Sequence, residues 1–196
     1  MTPSCSLSIL KRPWDVYEFS SPFQEIIFSP AIGLGRPVFN KNEQLAGLAE
    51  LRIEHKSNGR DSIYSRSWNN ISLSYHTRIN NSILLSIKAW IPFAYKDDNP
   101  DLMNYIGYGE LTLTHDIRRN WVLDINLKKG NNWDWKGSLR TRLLYRVSKS
   151  TNQHVMLEWF TGYGESLLNF DQHRSMIRFG YVIKSPDLNL LKAGRD

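Results

Sequence analysis

The chain has almost no sulfur chemistry. Its 196 residues include one cysteine, Cys5, which excludes an internal disulfide and any cysteine-based metal site. Long apolar runs are also missing. Mean hydropathy is −0.44, and no stretch approaches the roughly 18 consecutive apolar residues of a membrane helix. Low hydropathy does not count against a membrane β-barrel, whose strands alternate apolar and polar residues and average out. Met1–Pro13 shows no charged segment followed by an apolar one, so no secretory leader is recognisable there. The net charge is +6 and the pI about 9.4. Its charges are scattered singly, with no basic run and no RNP, zinc-knuckle or helix-turn-helix pattern, so nucleic acid is not expected as a partner. No amphipathic helical stretch of useful length is found. There is also no Gly-x-Ser-x-Gly elbow, which excludes an α/β-hydrolase.

What the chain does have is aromatic residues and alternation. Tryptophan occurs 7 times and tyrosine 9 times. From Leu45 onward a parity rule holds. Leu45, Gly47, Ala49, Leu51 and Ile53 oppose Glu50, Arg52 and Glu54. Ile71, Leu73 and Tyr75 oppose Asn70, Ser72, Ser74 and His76. The same pattern recurs over Ile83–Phe93, Trp121–Leu127, Trp135–Val147, His154–Tyr163 and Met176–Lys184, and more weakly over Tyr105–Asp116. Ile26–Val38 gives a further strand, and a doubtful one lies near Ser4–Tyr17.

A soluble sandwich also alternates. Here, though, nearly every polar face carries charges of both signs, and tight connections at Ile79–Ser82 and Ile117–Asn120 alternate with long ones at Asn58–Ser67, Tyr95–Asn104 and Glu165–Arg174. Short turns at one end and long loops at the other, with Trp68, Trp133 and Trp135 near strand ends, fit an outer-membrane barrel. The expected class is therefore all-β, an antiparallel transmembrane β-barrel of about ten strands. The expected organisation is an aberrant N-terminal segment over 1–19 with a partial strand, the barrel over 20–186 and a tail over 187–196.

One stretch breaks the apolar face. His55 and Ser57 continue the odd series that Leu51 and Ile53 begin, so they point toward lipid. A histidine there is costly and calls for a reason. Residues two apart on a strand share a face, with Cα atoms about 6.6 Å apart, so the imidazole can take the serine proton. If Ser57 pairs with Ser67, His55 falls opposite Asn69, whose amide oxygen can orient the ring as the third member of a triad does.

The stretch His55-Lys56-Ser57-Asn58-Gly59-Arg60, with Ser65-Arg66-Ser67-Trp68-Asn69, closely resembles the outer-membrane phospholipase A family of Gram-negative bacteria. So do Ser20-Ser21-Pro22-Phe23 with Glu25, Asp97-Asp98-Asn99-Pro100-Asp101, Tyr105-Ile106-Gly107-Tyr108 and Gly162-Tyr163-Gly164-Glu165-Ser166-Leu167. The resemblance runs from about Ser20 to Ser185. It implies a twelve-stranded barrel in the cell outer membrane, an active site facing the outer leaflet, and hydrolysis of phospholipid acyl esters at either position through an acyl-enzyme. By the same resemblance Ser57 is the nucleophile, His55 the base and Asn69 the orienter, with the Gly59 amide in the oxyanion hole.

Calcium and an active homodimer are implied too. The metal would take the Arg60 carbonyl, the Ser65 hydroxyl and the partner subunit's Ser20 carbonyl. A second calcium position would involve Asp98, with Ser62 standing where the family has an acid and Asp61 one residue earlier. Ile9-Leu10-Lys11 replaces a family segment that carries a dimer-interface glutamine. The family's leader and first two strands have no counterpart in this chain. The other reading is a non-catalytic or degenerate outer-membrane barrel.

Overall fold

The computed structural model describes residues 2–11, 26–97, 99–148 and 153–183. They form one ten-stranded antiparallel sheet in which every strand pairs with its neighbour in sequence. The strands are β1 (Thr2–Lys11), β2 (Ile26–Phe39), β3 (Leu45–Ser57), β4 (Ser67–Arg78), β5 (Ile83–Phe93), β6 (Gly109–Arg118), β7 (Trp121–Lys129), β8 (Gly137–Arg146), β9 (Gln153–Gly162) and β10 (Arg174–Ile183). One short helix, α1 (Leu102–Ile106), lies between β5 and β6. The doubtful first strand is thus a full strand, paired from Thr2↔Gly35 to Lys11↔Ile26. The eighth strand begins two residues later than the alternation suggests, because Trp135 takes a left-handed φ of 57° and stays in the loop. Among the described residues no pairing joins β10 to β1, so the sheet has two edges.

Alternation decides which side each strand shows. The odd positions of β3 and β4 carry Leu51, Ile53, Ile71 and Leu73, all exposed, whereas Asn70, Ser72 and Ser74 between them are buried. A polar interior with an apolar exterior inverts the soluble pattern and is the arrangement of a barrel wall in lipid. The interior stays soluble in itself through ion pairs. Glu158 accepts from Arg142 at 2.7 Å and from Arg178 at 2.6 Å, and Glu165 accepts from Arg140 at 2.6 Å. Lys88 on β5 donates to both carboxylate oxygens of Glu54 on β3, at 2.8 and 2.6 Å.

The turns follow the same logic. In the tight β2–β3 and β4–β5 connections an asparagine carboxamide stands in for backbone. Asn40 Oδ1 accepts the amides of Asn42 and Gln44, and Asn80 Oδ1 those of Ser82 and Ile83. All of these lie at one end. The connections 58–66, 94–108, 130–136 and 163–173 lie at the other.

The long loops close that end from inside. Trp68 on β4, Trp90 on β5, Leu102, Met103 and Ile106 on α1, and Leu167 from the β9–β10 loop form one buried cluster. In a flat sheet β4 and β9 would stand roughly 24 Å apart, five strand spacings. One shared apolar cluster therefore requires the sheet to curl. Gly107, at φ +64°, lets the chain leave α1, because a Cβ there would lie 1.8 Å from the Lys129 carbonyl oxygen.

Candidate active site on the outer wall

The β3–β4 hairpin has the register that parity predicts: Ser57↔Ser67, His55↔Asn69 and Ile53↔Ile71. Paired residues share a face, so His55, Ser57 and Asn69 stand together on the outer wall. Aliphatic rows lie below them, where Ile53 pairs with Ile32, Ile71 with Ile53 and Ile91 with Ile71. Phe28 pairs with Ser57 on one flank, and Phe93 pairs with Asn69 on the other. A small polar patch is thereby framed by apolar side chains.

His55 Nδ1 and Asn69 Oδ1 are 2.8 Å apart. A carboxamide oxygen only accepts, so Nδ1 carries the hydrogen and Nε2 keeps its lone pair. The contact thus fixes both the tautomer and the plane of the ring. Ser57 is on the same face two residues along the strand. Among the described residues no hydrogen bond joins its hydroxyl to the imidazole, as is common for catalytic pairs without substrate.

The loop after Ser57 is built around Asn58. This side chain is buried. Its Nδ2 donates to the Tyr64 carbonyl at 2.8 Å, and its Oδ1 accepts the amides of Arg66 at 3.0 Å and Arg60 at 3.3 Å. Gly59 follows at φ +63°, and a Cβ there would lie 2.9 Å from the Phe28 ring. The left-handed turn keeps the Gly59 amide out of the strand ladder, and among the described residues it has no hydrogen-bond partner.

On the lumen side, Lys56 pairs with Trp68 and places its ammonium 5.1 Å from the indole centroid. Asn99, fully buried, donates from Nδ2 to the Ser67 carbonyl at 2.7 Å. The hairpin end is thus held from both faces. Asn58 and Asn99 are positioning residues that parity does not reveal. Their signal in the sequence is only that an asparagine sits inside each loop, and its meaning depends on contacts between distant segments.

The oxygen donors in the loop divide into two groups. Arg66 Nη1 donates to the Ile63 carbonyl at 2.9 Å and to the Ser65 carbonyl at 2.7 Å, so those oxygens belong to the loop itself. Asp61 is exposed, and its carbonyl accepts the Tyr64 amide at 3.3 Å within the one-turn segment Ser62–Tyr64. The Ser65 hydroxyl and the chain at Arg60 flank this segment. Among the described residues no three His, Cys, Asp or Glu side chains gather as a metal cluster. Any ion here would be held by hydroxyl and carbonyl oxygens with at most the Asp61 carboxylate, a hard donor set that suits calcium rather than zinc. Ser20 and Asp98 lie outside the described residues.

Fold and site together define a class: an outer-membrane-type β-barrel protein with a serine, histidine and asparagine grouped on its lipid-facing wall. The phospholipase A1 family model matches residues 10–183, so the chain belongs to that family. Phospholipase A1 of Escherichia coli (strain K12) is 30% identical over 176 residues, spanning 85% of this chain and 56% of that protein. A putative phospholipase A1 of Neisseria meningitidis serogroup B is 27% identical over 192 residues, spanning 90% and 48%. The chain therefore spans about half the length of these curated relatives.

Among solved structures, the outer membrane phospholipase dimer of Salmonella typhi with bound calcium superposes with a TM-score of 0.75 at 29% identity, over 84% of this chain and 63% of that one. An active-site mutant of the Escherichia coli outer membrane phospholipase A, with asparagine replaced by alanine, gives the same TM-score at 27% identity, over 84% and 63%. With these relatives the chain is an outer-membrane protein of Gram-negative type.

Proposed function

We propose that the chain is a calcium-dependent phospholipase A that hydrolyses acyl esters of membrane phospholipids at either glycerol position. The observation that carries this reading is the 2.8 Å contact between His55 Nδ1 and Asn69 Oδ1 on the outer wall, flanked by Phe28 and Phe93 and by the row Ile53, Ile71 and Ile91. A hydrogen-bonded polar pair beside a serine has no structural use in lipid, where hydrocarbon side chains are cheaper.

The chemistry follows from the tautomer. His55 Nε2 takes the Ser57 hydroxyl proton as Oγ bonds to the ester carbonyl carbon. Negative charge then develops on the carbonyl oxygen, and the Gly59 amide donates to it. The imidazolium returns its proton to the leaving alkoxide, which departs as lysophospholipid and leaves the acyl group on Ser57. Water, deprotonated by His55, cleaves that ester, and the fatty acid leaves. Asn69 holds the ring through both halves. Being neutral, it stabilises the imidazolium less than an aspartate would. The Arg60 carbonyl and Ser65 hydroxyl are the proposed calcium ligands, joined by the partner subunit's Ser20 in an active homodimer. A second position would draw on Asp61, Ser62 and Asp98. Calcium held by these oxygens would supply positive charge that offsets the developing oxyanion. The name of the calcium-bound Salmonella typhi dimer supports both the metal and the dimer.

The test is hydrolysis of phospholipid by the folded chain in detergent micelles, with calcium and with EDTA. Hydrolysis with calcium only, abolished by Ser57→Ala, is the expected result. Equal hydrolysis by that variant would sink the serine assignment. The second reading, a non-catalytic barrel, draws on the two sheet edges that have no pairing among the described residues. It predicts no hydrolysis from folded chain under any calcium concentration.

A further inference from the structure

Far from the candidate site, the outer wall of β7–β10 contains a crevice of about 310 Å³. It is lined by Trp121, Leu143, Tyr145, Val155, Leu157 and Phe179, together with Met156. All but Met156 form two adjacent rows of the outer face. Trp121, Tyr145 and Val155 pair across β7, β8 and β9. Leu143, Leu157 and Phe179 pair across β8, β9 and β10. The volume lies in the range of small-molecule pockets, and the lining is apolar, so the crevice suits a hydrocarbon chain.

The upper row is at the short-turn end, opposite the His55 site. Trp121 and Tyr145 meet there in a tilted contact with ring centroids 4.9 Å apart, at the level where aromatic side chains gather at a membrane–water boundary. The same row continues onto β6 as Arg118, which pairs with Trp121. Parity alone would send Arg118 into the lumen with Glu110, Thr112 and Thr114. A bulge between Asp116 and Arg118 shifts the register, so Arg118 shares Trp121's outward face. Arg118 and Arg119 are both exposed, and among the described residues neither has an ion-pair partner. A guanidinium on the outer face, beside an aromatic pair and above a hydrocarbon-lined crevice, matches the phosphodiester, interface and chain of one lipid.

We propose that this face binds a glycerophospholipid as a resident wall lipid. Its phosphate would lie on Arg118 and Arg119, its glycerol region against Trp121 and Tyr145, and one acyl chain in the crevice. The lipid belongs to the leaflet at the turn end, while the His55 site is at the loop end. The inference is independent of the catalytic reading.

Native mass spectrometry of the folded chain in detergent with EDTA tests it. The probes are ether-linked phosphatidylglycerol, ether-linked phosphatidylethanolamine and the dialkylglycerol that lacks a phosphate, none of which can be hydrolysed as an ester. One copy of either phospholipid should survive detergent stripping, and dialkylglycerol should not. The Arg118→Ala/Arg119→Ala double variant should retain at least about tenfold less, since charge-assisted bonds to phosphate are lost. The corresponding double lysine variant should keep most of the lipid. Val155→Trp, which fills the crevice, should lose both phospholipids. Undiminished retention by the double alanine variant, or equal retention of dialkylglycerol, overturns the proposal. If the double alanine variant does not fold, Val155→Trp decides, and full retention by it overturns the proposal as well.

Discussion

At the loop end of the outer wall two hairpins carry a histidine near hydroxyl groups, and only one of them is built as a site; a third pair, His76 Nδ1 and Ser86 Oγ at 2.8 Å, lies on the lumen face, where Glu50 also meets the ring. In β3–β4, His55 is on the strand, its partner Asn69 is fixed by register, and the contact is 2.8 Å. In β9–β10, Thr161 pairs with Ser175 at the same end of the wall, and His173 approaches Thr161 at 3.5 Å from the adjoining loop. The latter is at the outer limit of a hydrogen bond, and among the described residues no carboxamide orients the ring. His173 packs edge-on against Tyr163 instead, with centroids 5.4 Å apart. The inner faces differ in the opposite sense. Glu158 in β9 holds Arg142 and Arg178 tightly, whereas Lys56 behind the His55 site rests on the Trp68 ring. Residue types alone would rank the two clusters alike. What separates them is that strand pairing fixes one geometry and loop placement leaves the other loose.

The largest loss should follow removal of the proposed nucleophile from the His55 hairpin. Ser57→Ala should lower phospholipid hydrolysis by at least about 10³-fold, since nucleophile and base act as a unit. The measurement is initial rate in detergent micelles with calcium, on protein whose strand content by circular dichroism is unchanged. Activity within about tenfold of the parent would remove the distinction between the hairpins. On the other hairpin the largest expected loss is in stability. Glu158→Ala takes the carboxylate from Arg142, which is about a third exposed, while Arg178 keeps Glu165 at 2.6 Å, so the loss should fall below the full cost of stranding a buried charge, at about 2 kcal/mol. Urea unfolding of the folded chain in detergent should show that drop. A change under about 1 kcal/mol would mean that water replaces the carboxylate.

Much of this was legible in the sequence, because period-2 alternation encodes face and pairing together. Leu51, Ile53, Ile71 and Leu73 specify the outer wall, and the register that matches them brings His55 opposite Asn69 without further information. Three features were not legible. The extent of β1 depends on pairing with β2, since Thr2–Lys11 has no clear alternation of its own. Arg118 reads as a lumen residue until the bulge at Asp116/Arg118 reverses its face. Asn99 joins the site only because the β5–β6 loop folds back onto Ser67, a contact between residues 32 apart in the chain. Each depends on a long-range contact or a local irregularity, neither of which leaves a periodic trace.

Smaller perturbations sharpen the contrast within the built site. Asn69→Ala frees the imidazole to rotate and to take the other tautomer. It should lower hydrolysis by on the order of 10²-fold, the low end of what a positioned acid–base contributes. Because nothing ionisable is lost, the pH dependence should keep its shape while the rate falls. A change of shape would assign Asn69 a part in proton transfer rather than in orientation. Gly59→Ala tests the loop. It forces a left-handed residue to carry a Cβ, at a cost of roughly 1–2 kcal/mol, and that Cβ meets the Phe28 ring at 2.9 Å. The rate should fall more than the stability if the displaced Gly59 amide serves the oxyanion as proposed. Equal losses in both would make Gly59 a conformational requirement only.

The smallest effect is expected at His173, and it is the most direct check on the comparison. His173→Ala removes the imidazole of the second cluster together with its edge contact to Tyr163. Aromatic pairs of this kind are worth about 0.5–1.5 kcal/mol beyond area burial when well packed, and this one is exposed on the His173 side. Stability should therefore move by well under 1 kcal/mol. Hydrolysis should not change, because Thr161 and Ser175 then lose a neighbour that never oriented toward them with catalytic geometry. A fall in rate comparable with that of Asn69→Ala would place both walls of the barrel in the reaction, and register would no longer suffice to tell a site from a coincidence of residue types.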